Sequence, residues 1–189
     1  MNVYQRALQA YKNTLSDLTV MGLITETVSE SKGQKFDSSL LLEQFDIMLQ
    51  YSMLQLALAD GRLSLGELQF IKDLTEKGDL CEFLKEEGYS NATWYSIYSM
   101  DETKISKILK DCKSDMKKVS HDFIVMFSSF SLNKGAEYLT SLKNNIADVL
   151  IAIIRADGRR DEKEADQIND CLIVDVVCEI ETIVGQLRK

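Results

Sequence analysis

Apolar side chains recur along this chain at spacings of three, four and seven residues, which is the periodicity of one face of an α-helix. Residues 3–28 carry such a stripe, with polar residues between its members. Residues from about 37 to 59 are apolar on most faces, which is typical of a buried helix. No segment is a convincing strand, so the pattern predicts an all-α fold of seven or eight helices. The N-terminal stripe consists of Tyr4, Leu8, Tyr11, Leu15, Leu18 and Thr25.

Polar and glycine-containing segments mark the predicted helix ends. Residues 29–35 form a polar break, and a third helix is expected to end near Gly78, as a glycine C-cap. Ser99 and Glu102 resemble a capping box that opens a later helix. Short helix and loop are expected over 79–100. The remaining predicted helices span about 64–77, 101–112, 114–131, 136–156 and 161 to near the C-terminus.

The proline content supports the same fold class. The 189 residues include no proline, where average usage would give several. Proline interrupts the hydrogen-bond ladder of a helix, so its absence is expected when long helices dominate. Apolar residues make up 45% of the chain and charged residues 28%, which is ordinary for a globular protein and excludes a largely disordered one.

The most informative feature is an internal repeat. The segment ADGRLSLGE (59–67) recurs as ADGRRDEKE (156–164), an offset of 97 residues. Each copy follows an apolar segment and precedes an amphipathic one. It is improbable that all these elements agree by chance. We therefore predict two helix–Asp-Gly–helix units, around residues 45–75 and 142–172, related by an approximate twofold axis.

Helix capping explains most of this motif. A glycine can take the left-handed conformation that ends a helix. Ser64 or Asp161 then accepts the first amides of the next helix, and Glu67 or Glu164, three residues later, completes a capping box. The aspartate before the glycine is left unexplained, because an acidic side chain at a helix C-terminus meets the negative end of the helix dipole. A nearby arginine or a bound cation could compensate for it.

Divalent-cation binding is therefore one hypothesis for the two acidic turns. Hard oxygen ligands favour calcium, magnesium or manganese over zinc. An EF-hand is excluded, because its first and third ligand positions would fall on Leu56 and Leu58 in the first copy. The candidate ligands are Asp60, Glu67, Asp157 and Glu164, with Ser64 and Asp161 as further oxygen donors.

The repeat resembles the TerB-like family, the tellurite-resistance group that also includes the N-terminal region of DjlA-type membrane co-chaperones. The resemblance is carried by LALADGRLSLGELQFI (56–71) and IIRADGRRDEKEADQI (153–168). It implies an all-helical fold with pseudo-twofold symmetry, an acidic patch proposed to bind metal, and roles in stress or phage resistance. We expect a TerB-like domain over residues 36–189, preceded by an N-terminal amphipathic helix and linker over 1–35.

Charge and cysteine content limit the kinds of binding partner and the cellular compartment that we expect for this protein. A net charge of −8 disfavours non-specific binding to nucleic acid or anionic lipid, and suits cations or a basic partner. The lysine-rich residues 104–118 are interpreted as a solvated helix face. We expect no membrane span and no signal peptide, hence a cytoplasmic protein. Its cysteines are expected to be reduced and buried; they are Cys81, Cys112, Cys171 and Cys178.

The sequence offers little support for enzymatic chemistry. It contains no phosphate loop, nucleophile elbow or HExxH motif. The single histidine, His121, lies at the edge of an apolar segment, where a structural role is favoured over that of a general base. We predict a non-enzymatic interaction module whose N-terminal helix and surface grooves bind an unidentified protein. The alternatives are a divalent-cation-binding protein and a hydrolase of unknown substrate.

The apolar stripe of the N-terminal helix needs cover from water. Either the protein's own core or a second copy of the chain could provide it. A homodimer through this helix is therefore one expectation, and intramolecular packing is the other.

Overall fold

The computed structural model describes residues 2–134, 137–156 and 166–187, and across these ranges the regular structure is helical, with no strand. This confirms the all-α fold and the expected number of helices. A short 3₁₀ helix at Ile168–Asp170 precedes the last helix. The α-helices are α1 (Val3–Ser31), α2 (Ser38–Ala57), α3 (Leu65–Leu74), α4 (Leu80–Glu86), α5 (Trp94–Ser99), α6 (Glu102–Lys134), α7 (Glu137–Ile153) and α8 (Leu172–Leu187).

Helix α2 is the centre of the fold. Of its 20 residues, 13 are buried, and it contacts α1, α3, α4, α6, α7 and α8. Full burial of one large apolar side chain stabilises a protein by about 1.5–3 kcal/mol. A long helix that is apolar on most faces therefore takes the position where other helices cover it on several sides.

Helix α1 packs antiparallel to α7. Arg6, near the start of α1, pairs with Asp148 in the second half of α7 at 2.5 Å. Further along α1, Asp17 accepts a hydrogen bond from Ser141, near the start of α7, at 3.2 Å. These two contacts run in opposite directions along the two helices, and they fix how α1 lies on the rest of the molecule.

The predicted apolar stripe of α1 is largely covered by the protein's own core. Tyr11 and Leu18 are buried. Tyr4 is partly exposed and packs edge-on against Phe70, with ring centroids 5.8 Å apart. The homodimer through this helix stays a prediction, and it would have to use other apolar side chains of α1.

Helix α6 is continuous, so the predicted break between residues 112 and 114 is wrong. Its buried residues continue through that point at spacings of three and four, which keeps one face of a single helix on the core. In the first half of α6 they are Ile105, Leu109, Cys112, Met116 and Ser120.

The residue that caps α6 also differs from the prediction. Asp101 Oδ1 accepts the backbone N–H of Thr103 at 2.9 Å. Asp101 therefore performs the N-capping role that the sequence pattern assigned to Ser99, which is the last residue of α5. Aspartate and serine cap helices about equally well, so spacing alone did not decide between them.

The C-terminal helix is interrupted where the sequence predicted continuity. Cys171 is extended (φ −73°, ψ 141°), and α8 begins only at Leu172. The first amides of α8 find acceptors on α2: Leu172 N–H donates to Gln55 Oε1 at 3.2 Å, and Ile173 N–H donates to Ser52 Oγ at 3.0 Å. Side chains of another helix therefore satisfy this helix start. The predicted start at residue 161 lies outside the described residues.

The two halves of the predicted repeat agree before the Asp-Gly motif and differ after it. Ala59 N–H donates to the Leu56 carbonyl, and Ala156 N–H donates to the Ile153 carbonyl, each at 2.9 Å and 97 residues apart. The counterpart of residues 71–73 of α3 is the 3₁₀ helix at 168–170. Because residues 157–165 lie outside the described part, the approximate twofold axis stays a prediction.

Candidate functional site

The first acidic turn is organised as a helix cap. Gly61 takes the left-handed conformation, with φ of +96°. Ser64 caps α3: its N–H donates to Glu67 Oε2 at 2.7 Å, and Glu67 N–H donates to Ser64 Oγ at 3.2 Å. The predicted capping box is confirmed here. Glu67 is buried, so its carboxylate serves the start of the helix rather than the solvent.

Asp60 is partnered by the nearby Arg62, through the backbone amide of that residue. Its Oδ1 accepts the backbone N–H of Arg62 at 3.0 Å, in an Asx-type turn. Arg62 thus contributes its amide to Asp60, and none of the ion pairs among the described residues includes Asp60. A hydrogen bond from the backbone offsets part of the unfavourable dipole at this position.

The described residues do not complete a cation site. Among them, no three His, Cys, Asp or Glu side chains converge as metal ligands would. Glu102 is a further acidic group at the first turn, since its Oε2 lies 2.8 Å from where a Cβ on Gly61 would be. The candidates Asp157, Asp161 and Glu164 lie outside the described part, so cation binding by pooled turns stays a prediction.

The thiols that the structure buries are not activated. Burial raises the pKa of Cys81 and of Cys171 to about 12 each, and burial also raises the pKa of Cys112. These thiols are therefore protonated at neutral pH and poor nucleophiles. All four cysteines are unpaired, but Cys178 is exposed, so the expectation that all four are buried is wrong for this one.

A buried carboxylate, Asp46, organises the connection between α3 and α4. It is fully buried in α2 and accepts the backbone N–H groups of residues 76, 77 and 78 at 3.1, 2.6 and 3.1 Å. The Tyr11 hydroxyl donates to it at 2.9 Å and accepts from the amide of Glu76. One turn later, Gln50 Oε1 accepts Leu80 N–H at 2.6 Å. The hydrogen bonds of Asp46, Tyr11 and Gln50 therefore stabilise the connection between α3 and α4.

Gly78 has a different role from the one predicted. Helix α3 ends at Leu74, and Gly78 lies against α2, where a Cβ would be 2.5 Å from the Glu43 carbonyl oxygen. It is therefore a point of close backbone approach and not a C-cap. The signal in the sequence was the pair Asp46 and Gln50, two polar residues one turn apart in a mostly apolar stretch of α2.

A wide surface groove lies between the C-terminal half of α1, residues 32–37, the start of α2 and the second half of α6. We call it the α1/α6 groove. Its volume of about 1420 Å³ exceeds the roughly 300–1,000 Å³ of most small-molecule pockets. Apolar side chains that line it include Ile24, Val28, Phe36, Leu40, Val125 and Phe130.

The α1/α6 groove presents apolar side chains to water. Val28, Leu40 and Val125 are 47%, 47% and 50% exposed, although each is large and apolar. The lining residues are 24–26 and 28–30 on α1 and 122, 125, 126, 129 and 130 on α6, so rows at spacings of three and four run along both helices. Clustered exposed apolar residues on a monomer mark an interaction site more often than chance.

A second cavity, of about 240 Å³, lies between α2, α4, α5 and the start of α6. It is mainly apolar. Tyr89 lines it and turns its hydroxyl to Asp111, at 3.5 Å. With less volume than a usual ligand pocket, it supports a binding role more weakly than the α1/α6 groove does.

The sequence predicted surface grooves in general, but it did not predict which residues line the α1/α6 groove. The available signal was a set of apolar residues on α1 outside the core stripe, such as Leu23, Ile24 and Val28. His121, the only histidine, is exposed on α6. No helix within the described ranges combines the length and apolarity needed to cross a bilayer.

Comparison with protein-family models, with curated proteins and with solved structures finds no match to this chain. The resemblance to the TerB-like family therefore rests on the two Ala-Asp-Gly segments alone.

Proposed function

We propose that this protein is a non-enzymatic interaction module that binds a helical segment of another protein in the α1/α6 groove. The observation that carries the proposal is the cluster of half-exposed apolar side chains on two facing helix walls. Helix-in-groove recognition uses apolar anchors at helical spacing, and these walls offer complementary rows at spacings of three and four.

The energetics favour an occupied groove. Full burial of one large apolar side chain is worth about 1.5–3 kcal/mol, so covering a side chain that is already half buried contributes about half of that. Val28, Leu40 and Val125, together with Ile24, would contribute several kcal/mol to a complex. Ordering and association costs reduce this sum, which is consistent with reversible binding.

The polar groups of the described residues support a binding role over catalysis. Asp46 and Glu67, the buried carboxylates, accept hydrogen bonds from backbone amides, and the buried thiols are protonated. The TerB-like resemblance would give such a module a role in stress, tellurite or phage resistance. That part of the proposal depends only on the Ala-Asp-Gly motifs.

Peptide display against the purified protein tests the proposal. We expect selection to enrich apolar helical sequences, and Leu40→Glu/Val125→Glu to weaken their binding at least about tenfold, because two charges would be buried in the interface. Both residues are about half exposed, so the melting temperature should change little.

Leu65→Glu/Ile151→Glu is the matched control, because these exposed apolar residues lie outside the groove lining. It should bind the selected peptides as the wild type does. If the selected peptides bind the groove variant as tightly as the wild type, the groove is not the docking surface.

A further inference from the structure

We infer that the segment bound in the α1/α6 groove is a cationic amphipathic helix, with lysine or arginine flanking its apolar face. This inference rests on the proposed function of the groove, and it names the chemistry of the partner. Apolar contacts alone would accept any amphipathic helix. The charges around the groove are what discriminate between partners.

The rim of the groove is acidic on both walls. It carries four carboxylates and two ammonium groups, a net charge of −2. The carboxylates are spread over α1, the N-cap of α2 and α6, whereas both lysines lie in the connection between α1 and α2. These groups are Glu26, Glu30, Asp37, Asp122, Lys32 and Lys35.

Of the four rim carboxylates, Glu26 accepts the Ser38 hydroxyl and Asp37 accepts the Ser39 amide, each at 2.9 Å. None of the ion pairs among the described residues includes any of them. Lys118, one turn before Asp122, pairs instead with Asp115 at 2.5 Å. Hydrogen bonds from Ser39 lower the pKa of Asp37, so this carboxyl is charged at neutral pH. Each unpaired carboxylate favours a basic group on an incoming helix.

Helix α1 of a second copy of this chain fits the groove poorly. Residues 13–31, the C-terminal two thirds of α1, contain Asp17, Glu26 and Glu30 and no lysine or arginine. Docking this segment on another copy would place acidic groups against the acidic rim, on a chain whose net charge is already −8. An anionic membrane surface meets the same repulsion.

The test compares two synthetic amphipathic peptides of about 18 residues, or about five helical turns. Both carry leucine at the i, i+3, i+4 and i+7 positions, and the polar face is lysine in one and glutamate in the other. Fluorescence anisotropy with the full chain measures each affinity at low and high salt. We expect the lysine peptide to bind more tightly, with an advantage that shrinks as salt screens the rim.

Charge variants locate the effect. Glu30→Gln/Asp122→Asn should weaken the lysine peptide about three- to tenfold at low salt and leave the glutamate peptide unchanged or tighter. The matched control is Glu86→Gln/Asp73→Asn, which removes the same number of charges from exposed positions outside the groove lining. It should keep most of the wild-type affinity for the lysine peptide.

The outcomes separate the inference from the proposed function. Equal binding of both peptides, lost in Leu40→Glu/Val125→Glu, overturns the cationic helix and leaves the groove. If the rim variant and its control weaken binding of the lysine peptide equally, the overall charge of the protein explains the effect, and the cationic-helix inference is overturned as well. A wild-type dimer that dissociates in Leu40→Glu/Val125→Glu makes a second copy the occupant. If neither peptide binds, the proposed function fails as well.

Discussion

Asp46 and Asp60 are both aspartates of the first helix–Asp-Gly–helix unit, and their partners give them different roles. Asp46 is fully buried and accepts three backbone amides that belong to another segment of the chain. Asp60 accepts one amide, two residues away. The sequence drew attention to Asp60 because of its motif, whereas the greater structural role belongs to Asp46.

Asp60 is predicted to act as a local cap. Asp60→Asn keeps the oxygen that accepts Arg62 N–H, so its unfolding free energy should lie within about 0.5 kcal/mol of wild type, while Asp60→Ala loses about 1 kcal/mol. Chemical denaturation measures both variants.

A thermal melt with added calcium or manganese tests the cation hypothesis separately. If calcium or manganese raises the melting temperature of wild type but not of Asp60→Asn/Asp157→Asn, the acidic turns bind metal. An unchanged wild-type melt in both ions supports capping alone.

Asp46 is predicted to give the protein a pH-dependent stability. Burial raises the pKa of its carboxyl above the ordinary value of 3.8, and hydrogen bonds from the amides of residues 77, 78 and 76 and from Tyr11 oppose this. Between 3.8 and the raised pKa the native state binds more protons than the unfolded state, so the contribution of Asp46 to stability falls as pH rises through that window.

Asp46→Asn is the reference for this measurement, because it removes the titrating group and keeps an acceptor oxygen. The unfolding free energy of wild type minus that of Asp46→Asn should increase as pH falls from neutral through the window. A decrease instead would mean that the amide hydrogen bonds outweigh burial and lower the pKa of Asp46.

At the scale of secondary-structure elements, a helix boundary is predictable when its cap is local. The N-caps of α2 and α3, Asp37 and Ser64, lie within three residues of the amides that they accept. The start of α8 is set by Ser52 and Gln55, more than 100 residues away along the chain. No local pattern encodes that contact, which is why the boundary was misplaced.

Substitution of Gly78 tests the close approach between the α3–α4 connection and α2. Gly78→Ala would place a Cβ 2.5 Å from a backbone oxygen of residue 43, so we expect a loss of about 1–3 kcal/mol in unfolding free energy. Gly185→Ala is the control, since no atom lies within 4 Å of a Cβ there and α8 should gain about 0.5–1 kcal/mol. Similar values for the two variants would contradict the close approach.

At the scale of the whole molecule, the α1/α6 groove is formed by segments far apart in the sequence. Its walls come from residues near 24–41 and from residues near 122–130. Within its own helix, each of Val28 and Val125 is an ordinary apolar position that the local sequence does not mark as exposed. Only the packing of α2 against both α1 and α6 brings them into one groove and leaves them exposed, and this arrangement carries the proposed function.

The amino-acid sequence by itself determined the all-α class, the approximate helix positions, the burial of α2 and the capping box at Ser64 and Glu67. These features depend on helical periodicity and on contacts within a few residues, which a sequence displays directly.

The tertiary structure alone decided where Asp46 finds its donors, why Gly78 must lack a side chain, where α8 begins and which apolar residues stay exposed. Each of these depends on groups distant in sequence that meet only when the helices pack. A hydrogen bond or an exposed face between such groups has no local signature, so it exists only in the folded chain.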